Sequence, residues 1–182
     1  IDEGFVLATM QDHVIQIQRI QGAKSGYKLS IYGKVPLAAI YTSGYIPAND
    51  SKSMDVTIDF NEADMAVIPL VTTSVKEATG PLKGVIRLTG TVEQPEAYGT
   101  VSVRNGTMKL ANVDNEITGI DGDLIFSGQQ GDFQSRINMG KGSAGLAAKV
   151  NWSGHELTNY KAAVQLDGLD VRSEYIRGPL NG

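Results

Sequence analysis

The sequence predicts an all-β fold from its composition, its alternation and its punctuation. The 182 residues include 21 glycines and only 7% aromatic residues, which suits many short strands separated by glycine turns. Apolar and polar residues alternate with a period of two through most of the chain, as in strands that have one wet face. Because the alternating runs are short and end at glycine, a meander of antiparallel strands is the simplest architecture.

In the N-terminal part, two segments show this alternation most clearly. The segment "YKLSIYGKVPL" places Leu29 and Ile31 on one face. In "SMDVTIDF", four apolar residues share a face opposite Asp55 and Asp59, which is the pattern of a half-buried strand. These four residues are Met54, Val56, Ile58 and Phe60.

The second half of the chain continues the pattern in five segments, each with its apolar residues on one face. The segments are "GTVSVRNG" with Val101 and Val103, "GDLIFSG" with Leu124 and Phe126, "DFQSRINMG" with Ile137 and Met139, "GLAAKVNWSG" with Leu146, Val150 and Trp152, and "YKAAVQLDGLDV" with Val164 and Leu166. Trp152 fits two roles equally well, a core tryptophan whose N–H finds a carbonyl or a residue that lines a groove.

One segment, "NEADMAVIPLVTTSVKEATG", departs from the alternation. Asn61 is a good N-cap, and Met65, Ile68 and Val71 follow at helical spacing. We therefore expect one short helix around residues 62–77, disturbed near Pro69. An open sheet must bury its apolar face against something, so this helix is expected to cap one end of the sheet.

Asn105 and Gly106 form the dipeptide that most often makes a two-residue hairpin turn. Both central residues of a type I′ turn need positive φ, which Asn and Gly tolerate, so the pair predicts a hairpin. The competing interpretation is a bulge within one longer strand.

The sequence offers no chemistry that predicts an enzyme, a metal site or a cofactor. Cysteine is absent, and His13 and His155 are the only histidines and belong to no metal-like or triad-like cluster. The net charge is −4 without a dense basic run, which argues against nucleic acid as a partner. No run of apolar residues approaches the roughly 20 needed to span a bilayer.

The order of three pieces, "GPLKGVIRLTGTVEQP", "GTVSVRNGTM" and "GDLIFSG", resembles the C-terminal region of the TamB translocation and assembly module family, AsmA-like envelope proteins of diderm bacteria. The resemblance implies an elongated, curved, antiparallel-rich sheet that forms an open apolar trough, called a β-taco. It also implies a periplasmic location, tethered to the inner membrane through regions outside this sequence. Proteins of this family are thought to pass phospholipid between membranes and to assist outer-membrane protein assembly.

We therefore expect residues 1–182 to be a single β-groove segment cut from a longer protein. The partners implied are phospholipid acyl chains and an outer-membrane β-barrel assembly protein, with the apolar residues named above lining the groove. Two alternatives stay open: a chaperone-like scaffold that uses an exposed sheet edge, and a spacer whose apolar face is sealed.

Overall fold

The computed structural model describes residues 3–24, 27–40, 53–70, 72–172 and 177–180. Within these ranges, eleven strands form one sheet, and two short strands form a second. The strands are β1 (Glu3–Gln11), β2 (Val14–Lys24), β3 (Tyr27–Pro36), β4 (Met54–Glu62), β5 (Val75–Thr79), β6 (Leu82–Gly90), β7 (Pro95–Leu110), β8 (Ile117–Gly128), β9 (Gln130–Met139), β10 (Gly142–Ser153), β11 (Glu156–Asp167), β12 (Leu169–Arg172) and β13 (Arg177–Leu180). A four-residue helix, α1 (Leu37–Ile40), follows β3, and a 3₁₀ helix spans Met65–Leu70.

The large sheet is a meander with one insertion. Its order is β1-β2-β3-β4-β6-β7-β8-β9-β10-β11, and β5 pairs with the second half of β7, beyond the end of β6. Every pair of strands in the described ranges is antiparallel, and the sheet is open, with β1 and β11 as its edges. The predicted all-β class and antiparallel meander are confirmed.

The predicted helix around residues 62–77 is shorter than expected and of the 3₁₀ type. It covers only Met65–Leu70 and includes Pro69, whose missing N–H is incompatible with a longer α-helix. Val75 to Thr79, the end of the predicted helix and just beyond, is the strand β5. Val71, which shares the helical spacing, lies outside the described residues.

The predicted hairpin at Asn105 and Gly106 is wrong, and the competing bulge is right. The strand β7 continues through both residues, and its pairing with β8 shifts between Val103 and Gly106. Asn105 has φ of 53°, and its backbone N–H donates to Asp121 Oδ1 at 2.8 Å. The carboxylate on β8 thus satisfies the donor that a bulge removes from the ladder.

Residues that face each other across antiparallel strands point to the same side of a sheet, so the register defines two faces. One row of directly paired residues crosses ten strands from edge to edge, and its one polar group is the Tyr160 hydroxyl on β11 at the edge of the sheet. It consists of Val6, Ile20, Ile31, Ile58, Ile86, Gly99, Phe126, Gly131, Val150 and Tyr160. We call this set the apolar row and the side that contains it the apolar face.

Two glycines allow close strand approach where β6 meets β7. Gly84 and Gly99 have φ of 141° and 129°, a conformation that residues with a side chain rarely adopt. A Cβ at either position would collide with the backbone of the neighbouring strand. Glycine inside a strand often marks a bend, so the sheet is expected to be strongly curved in this region.

Candidate functional surface

All seventeen residues predicted to line a groove lie on the apolar face. The β3 and β4 residues among them pair with each other and with β6, as in the match of Ile31 with Ile58. The residues of β7 to β11 are connected in the same way, as in the match of Val101 with Leu124. The sequence alternation therefore predicted the shared face correctly for every member of the set.

The sequence missed the two N-terminal strands of this surface. Val6 on β1 and Ile20 on β2 belong to the apolar row. The pairing of β1 with β2 has a bulge, so Ile17 and Ile20 point to the same face although three positions separate them. This extra residue interrupts the period-two pattern, and the available signal was the alternation of Ile15, Gln16 and Ile17 before it.

Part of the apolar face is open to solvent. On β11, Leu157, Tyr160 and Val164 are 67%, 74% and 58% exposed, and Phe133 on β9 is 36% exposed. At the other edge of the sheet, Met10 on β1 is 69% exposed. Large exposed apolar patches on a protein surface usually mark a contact with lipid, ligand or another protein.

Another part of the apolar face is covered by the 3₁₀ helix Met65–Leu70 and β5, which together we call the lid. Met65 is 3% exposed, and it packs with buried residues from three strands of the sheet and from the lid itself. The buried cluster consists of Met65, Val75, Ala78, Ile117, Ile120, Met139 and Ala144. Four predicted groove residues therefore belong to the covered part: Met139 within the cluster, and Val103, Ile137 and Leu166 packed against it.

A buried carboxylate fastens the lid to the sheet. Asp64 is 2% exposed, and it lies immediately before the 3₁₀ helix. Its Oδ1 accepts a hydrogen bond from Ala66 N–H, and its Oδ2 accepts one from Gly80 N–H, each at 2.9 Å. Met65 N–H also donates to the Gly80 carbonyl at 2.8 Å. Asp64 thus caps the helix and ties it to the corner between β5 and β6.

At the ends of the strands away from the lid, the Trp152 side chain on β10 contacts residues of β7 and β8. Its indole N–H donates to the carbonyl of Pro95 at 3.1 Å, and its ring meets Phe126 edge to face at 6.1 Å between centroids. Trp152 therefore lies on the apolar face and also finds a carbonyl partner, which combines features of both predicted roles. Beside it, Gln94 Oε1 accepts from Gln129 Nε2 at 3.0 Å and from Gly154 N–H at 3.2 Å.

These contacts require a curled sheet. Trp152 is on β10 and Pro95 is on β7, so two strands separate them. Three strand spacings would put β7 and β10 about 14 Å apart in a flat sheet, farther than an indole side chain can reach. The hydrogen bond forms because the sheet curves toward its apolar face, which makes that face concave.

The polar face is held by exposed ion pairs between neighbouring strands. Arg87 donates to both carboxylate oxygens of Asp55, at 2.7 and 2.6 Å, and this hydrogen bonding holds the pKa of the Asp55 carboxyl below its usual value. Lys149 similarly lowers the pKa of Asp132 from 2.8 Å away. Such pairs at the surface contribute little stability each but help to fix the register.

A depression of about 530 Å³ opens on the polar face over β8 to β11. It forms where Gly145 has no side chain and Ala147 and Ala163 have small ones, and its rim is charged. On the rim, Arg104 already pairs with Asp123 at 2.7 Å. These two charges pair with each other, and the small residues that line the depression account for its shape.

Within the described ranges, no three His, Asp or Glu side chains gather in a way that could hold a metal ion. Nor is any helix there long and apolar enough to cross a membrane. Comparisons with protein-family models, with curated proteins and with solved structures found no match.

Proposed function

We propose that this chain shields and conducts phospholipid acyl chains on its apolar face, as a groove segment of an envelope-spanning protein. The observation that favours this function is the apolar row, which crosses the sheet from edge to edge with the Tyr160 hydroxyl, at one edge, as its one polar group. The resemblance of the sequence to the TamB family supports the same function independently of the strand register. On this proposal, the chain acts in the periplasm, is tethered to the inner membrane outside this sequence, and supports outer-membrane biogenesis.

The apolar face suits a ligand that must be held without being fixed. Burial of one methylene contributes about 0.8 kcal/mol, so a sixteen-carbon chain would gain roughly 12 kcal/mol on leaving water. The aliphatic residues of the row offer similar contacts from β1 to β6 and again on β10, and its one hydrogen-bonding side chain, Tyr160, lies at the edge of the sheet. Movement along the face then requires only small changes in free energy from one strand to the next.

Two adjacent residues of β11 provide a test with a built-in control. Val164 is 58% exposed on the apolar face, whereas Ala163 is exposed on the polar face of the same strand. We expect Val164→Asp to lower lipid binding at least tenfold and Ala163→Asp to leave it unchanged, since neither change disturbs a buried contact. Val103 is a poorer position for a charge, because it packs against the buried cluster.

The assay can use the single tryptophan of the chain. Trp152 lies on the apolar face, so phospholipids that carry a nitroxide on an acyl chain should quench its fluorescence. Native mass spectrometry of the purified chain should detect retained phospholipid. Absence of both signals in the unaltered chain, or equal loss in the two β11 variants, would contradict the proposed function.

A second candidate function is a chaperone-like scaffold for outer-membrane protein assembly. It is favoured by β11, which is exposed along almost its whole length and, among the described strands, pairs with β10 alone. An unpaired edge of this kind can accept an added strand. Proline at an outward-pointing N–H of β11 should then abolish binding of a β-strand peptide from an outer-membrane barrel while lipid binding persists.

The remaining alternative is a spacer whose apolar face is sealed. The exposure of Val164 and Tyr160 on that face argues against it.

A further inference from the structure

The lid covers the same surface that the proposed function assigns to acyl chains. Below the lid lie Met139 on β9 and Ala144 on β10, and farther along the same strands lie Phe133 and Leu146 outside the buried cluster. The apolar face is therefore continuous beneath the lid and beyond it. A segment of the chain itself occupies one part of a surface whose other part is open.

The lid meets the sheet through side chains that resemble hydrocarbon ligands. Met65 and Ile68 contribute thioether and aliphatic groups from the 3₁₀ helix, and Val75 and Ala78 contribute from β5. Gly106 accommodates the deepest of them, because a Cβ at that position would lie 2.6 Å from Met65 Sδ. The missing side chain on β7 thus makes room for the methionine.

The polar contacts that hold this segment run to the corner between β5 and β6 and to β7, and they include an ion pair between Glu77 and Lys109 Nζ at 2.8 Å. Asp64 provides two hydrogen bonds, and β5 adds a short ladder to the end of β7 between Val75 and Thr79. Thr79 Oγ1 and Thr107 Oγ1 lie 2.8 Å apart at the end of that ladder. Within the described residues, β5 pairs with no strand other than β7.

We propose that the lid is an intramolecular occupant of the acyl-chain surface and that lipid and lid compete for it. This inference rests on the proposed function. Lipid reaches the covered strands only in molecules whose lid is open. The apparent dissociation constant of lipid at these strands is therefore the intrinsic constant divided by the fraction of open molecules. Loosening the lid therefore extends the surface available to an acyl chain, and a covalent link between the lid and the sheet prevents that extension.

Asp64→Ala loosens the lid by removing both hydrogen bonds at its start. Palmitic acid, measured by displacement of the fluorescent fatty acid cis-parinaric acid, should bind Asp64→Ala about tenfold or more tightly than the unaltered chain. Gly106→Ala is a second variant that displaces Met65 without touching Asp64, and it should also raise the affinity. Asp59→Ala is the matched control, because Asp59 accepts a backbone N–H two residues on at an exposed position.

A disulfide supplies the reverse perturbation. The chain contains no cysteine, so Thr79→Cys and Thr107→Cys add the only two thiols. The close approach of the two hydroxyls suits a bridge between β5 and β7, given the Cβ separation of about 3.8 Å that disulfides prefer. In the Asp64→Ala background, oxidation should lower the affinity for palmitic acid to that of the unaltered chain. Reduction of the bridge with dithiothreitol should restore the higher affinity of Asp64→Ala.

The outcomes separate the two proposals. If the unaltered chain binds palmitic acid and neither Asp64→Ala nor Gly106→Ala binds it more tightly, the lid proposal fails and the proposed function stands. Equal affinities of the oxidised and reduced bridge would also overturn it. If no form of the chain binds palmitic acid, both proposals fail. A gain in both loosened variants that oxidation reverses supports competition.

Discussion

Replacing Asp64 by alanine should cost far more stability than replacing any exposed aspartate. The substitution leaves the N–H groups of Ala66 and Gly80 without their acceptor, and Asp64 itself is 2% exposed. A buried donor without a partner costs about 1–3 kcal/mol, so two should lower the free energy of unfolding by roughly 3 kcal/mol after relaxation. Asp64→Asn keeps one carbonyl oxygen and should lose about half as much.

Urea denaturation followed by circular dichroism measures this difference as a shift of midpoint at constant slope. Asp59→Ala is the control, because Asp59 Oδ1 accepts the N–H of Asn61 at 2.8 Å in the same local geometry but at the surface. Its cost should be about 0.5 kcal/mol. Equal midpoint shifts for Asp64→Ala and Asp59→Ala would refute the role of the buried carboxylate.

Three further changes test other contacts. Gly106→Ala should lower the free energy of unfolding by about 1–3 kcal/mol through overpacking against Met65, and by clearly less when Met65 is alanine, as a double-mutant cycle would show; equal costs in both backgrounds contradict the contact. Trp152→Phe should lose about 0.5–1.5 kcal/mol with its hydrogen bond, and an unchanged midpoint would exclude that bond. The folded-state pKa of Asp55 is lowered, so its contribution to stability is complete above about pH 4 and is lost as the pH falls through the lowered pKa; Arg87→Gln should raise that pKa in NMR titration, and no rise would disprove the pairing.

The faces of the sheet were predictable from the sequence because alternation reports directly on which side a strand residue points. The path of the chain within the sheet was harder to predict from the sequence. Asn105 and Gly106 satisfy both a hairpin and a bulge, and the choice is made by Asp121 on the next strand, which accepts the free N–H of Asn105. A contact of this range leaves no local signal.

The candidate surface was likewise predictable in one respect and not in another. Its lining residues follow from alternation, but the covering of Met139 and Ile137 follows from where the 3₁₀ helix lies, and that depends on contacts between segments far apart in sequence. Helical spacing suggested the presence of the helix but not its short length, because β5 gains a ladder with β7 that outweighs helix propensity.

The apolar row has a consequence for how such a chain can change over time. A surface that offers aliphatic contacts on most of its strands constrains the polarity of a position more than the identity of its residue. Exchanges among Ile, Val, Leu and Met at Ile31, Ile58 or Ile86 should each cost less than about 1.5 kcal/mol and preserve the face. Two chains could therefore retain this architecture while sharing few identical residues, and their kinship would be clearer in the period of their sequences than in an alignment of letters.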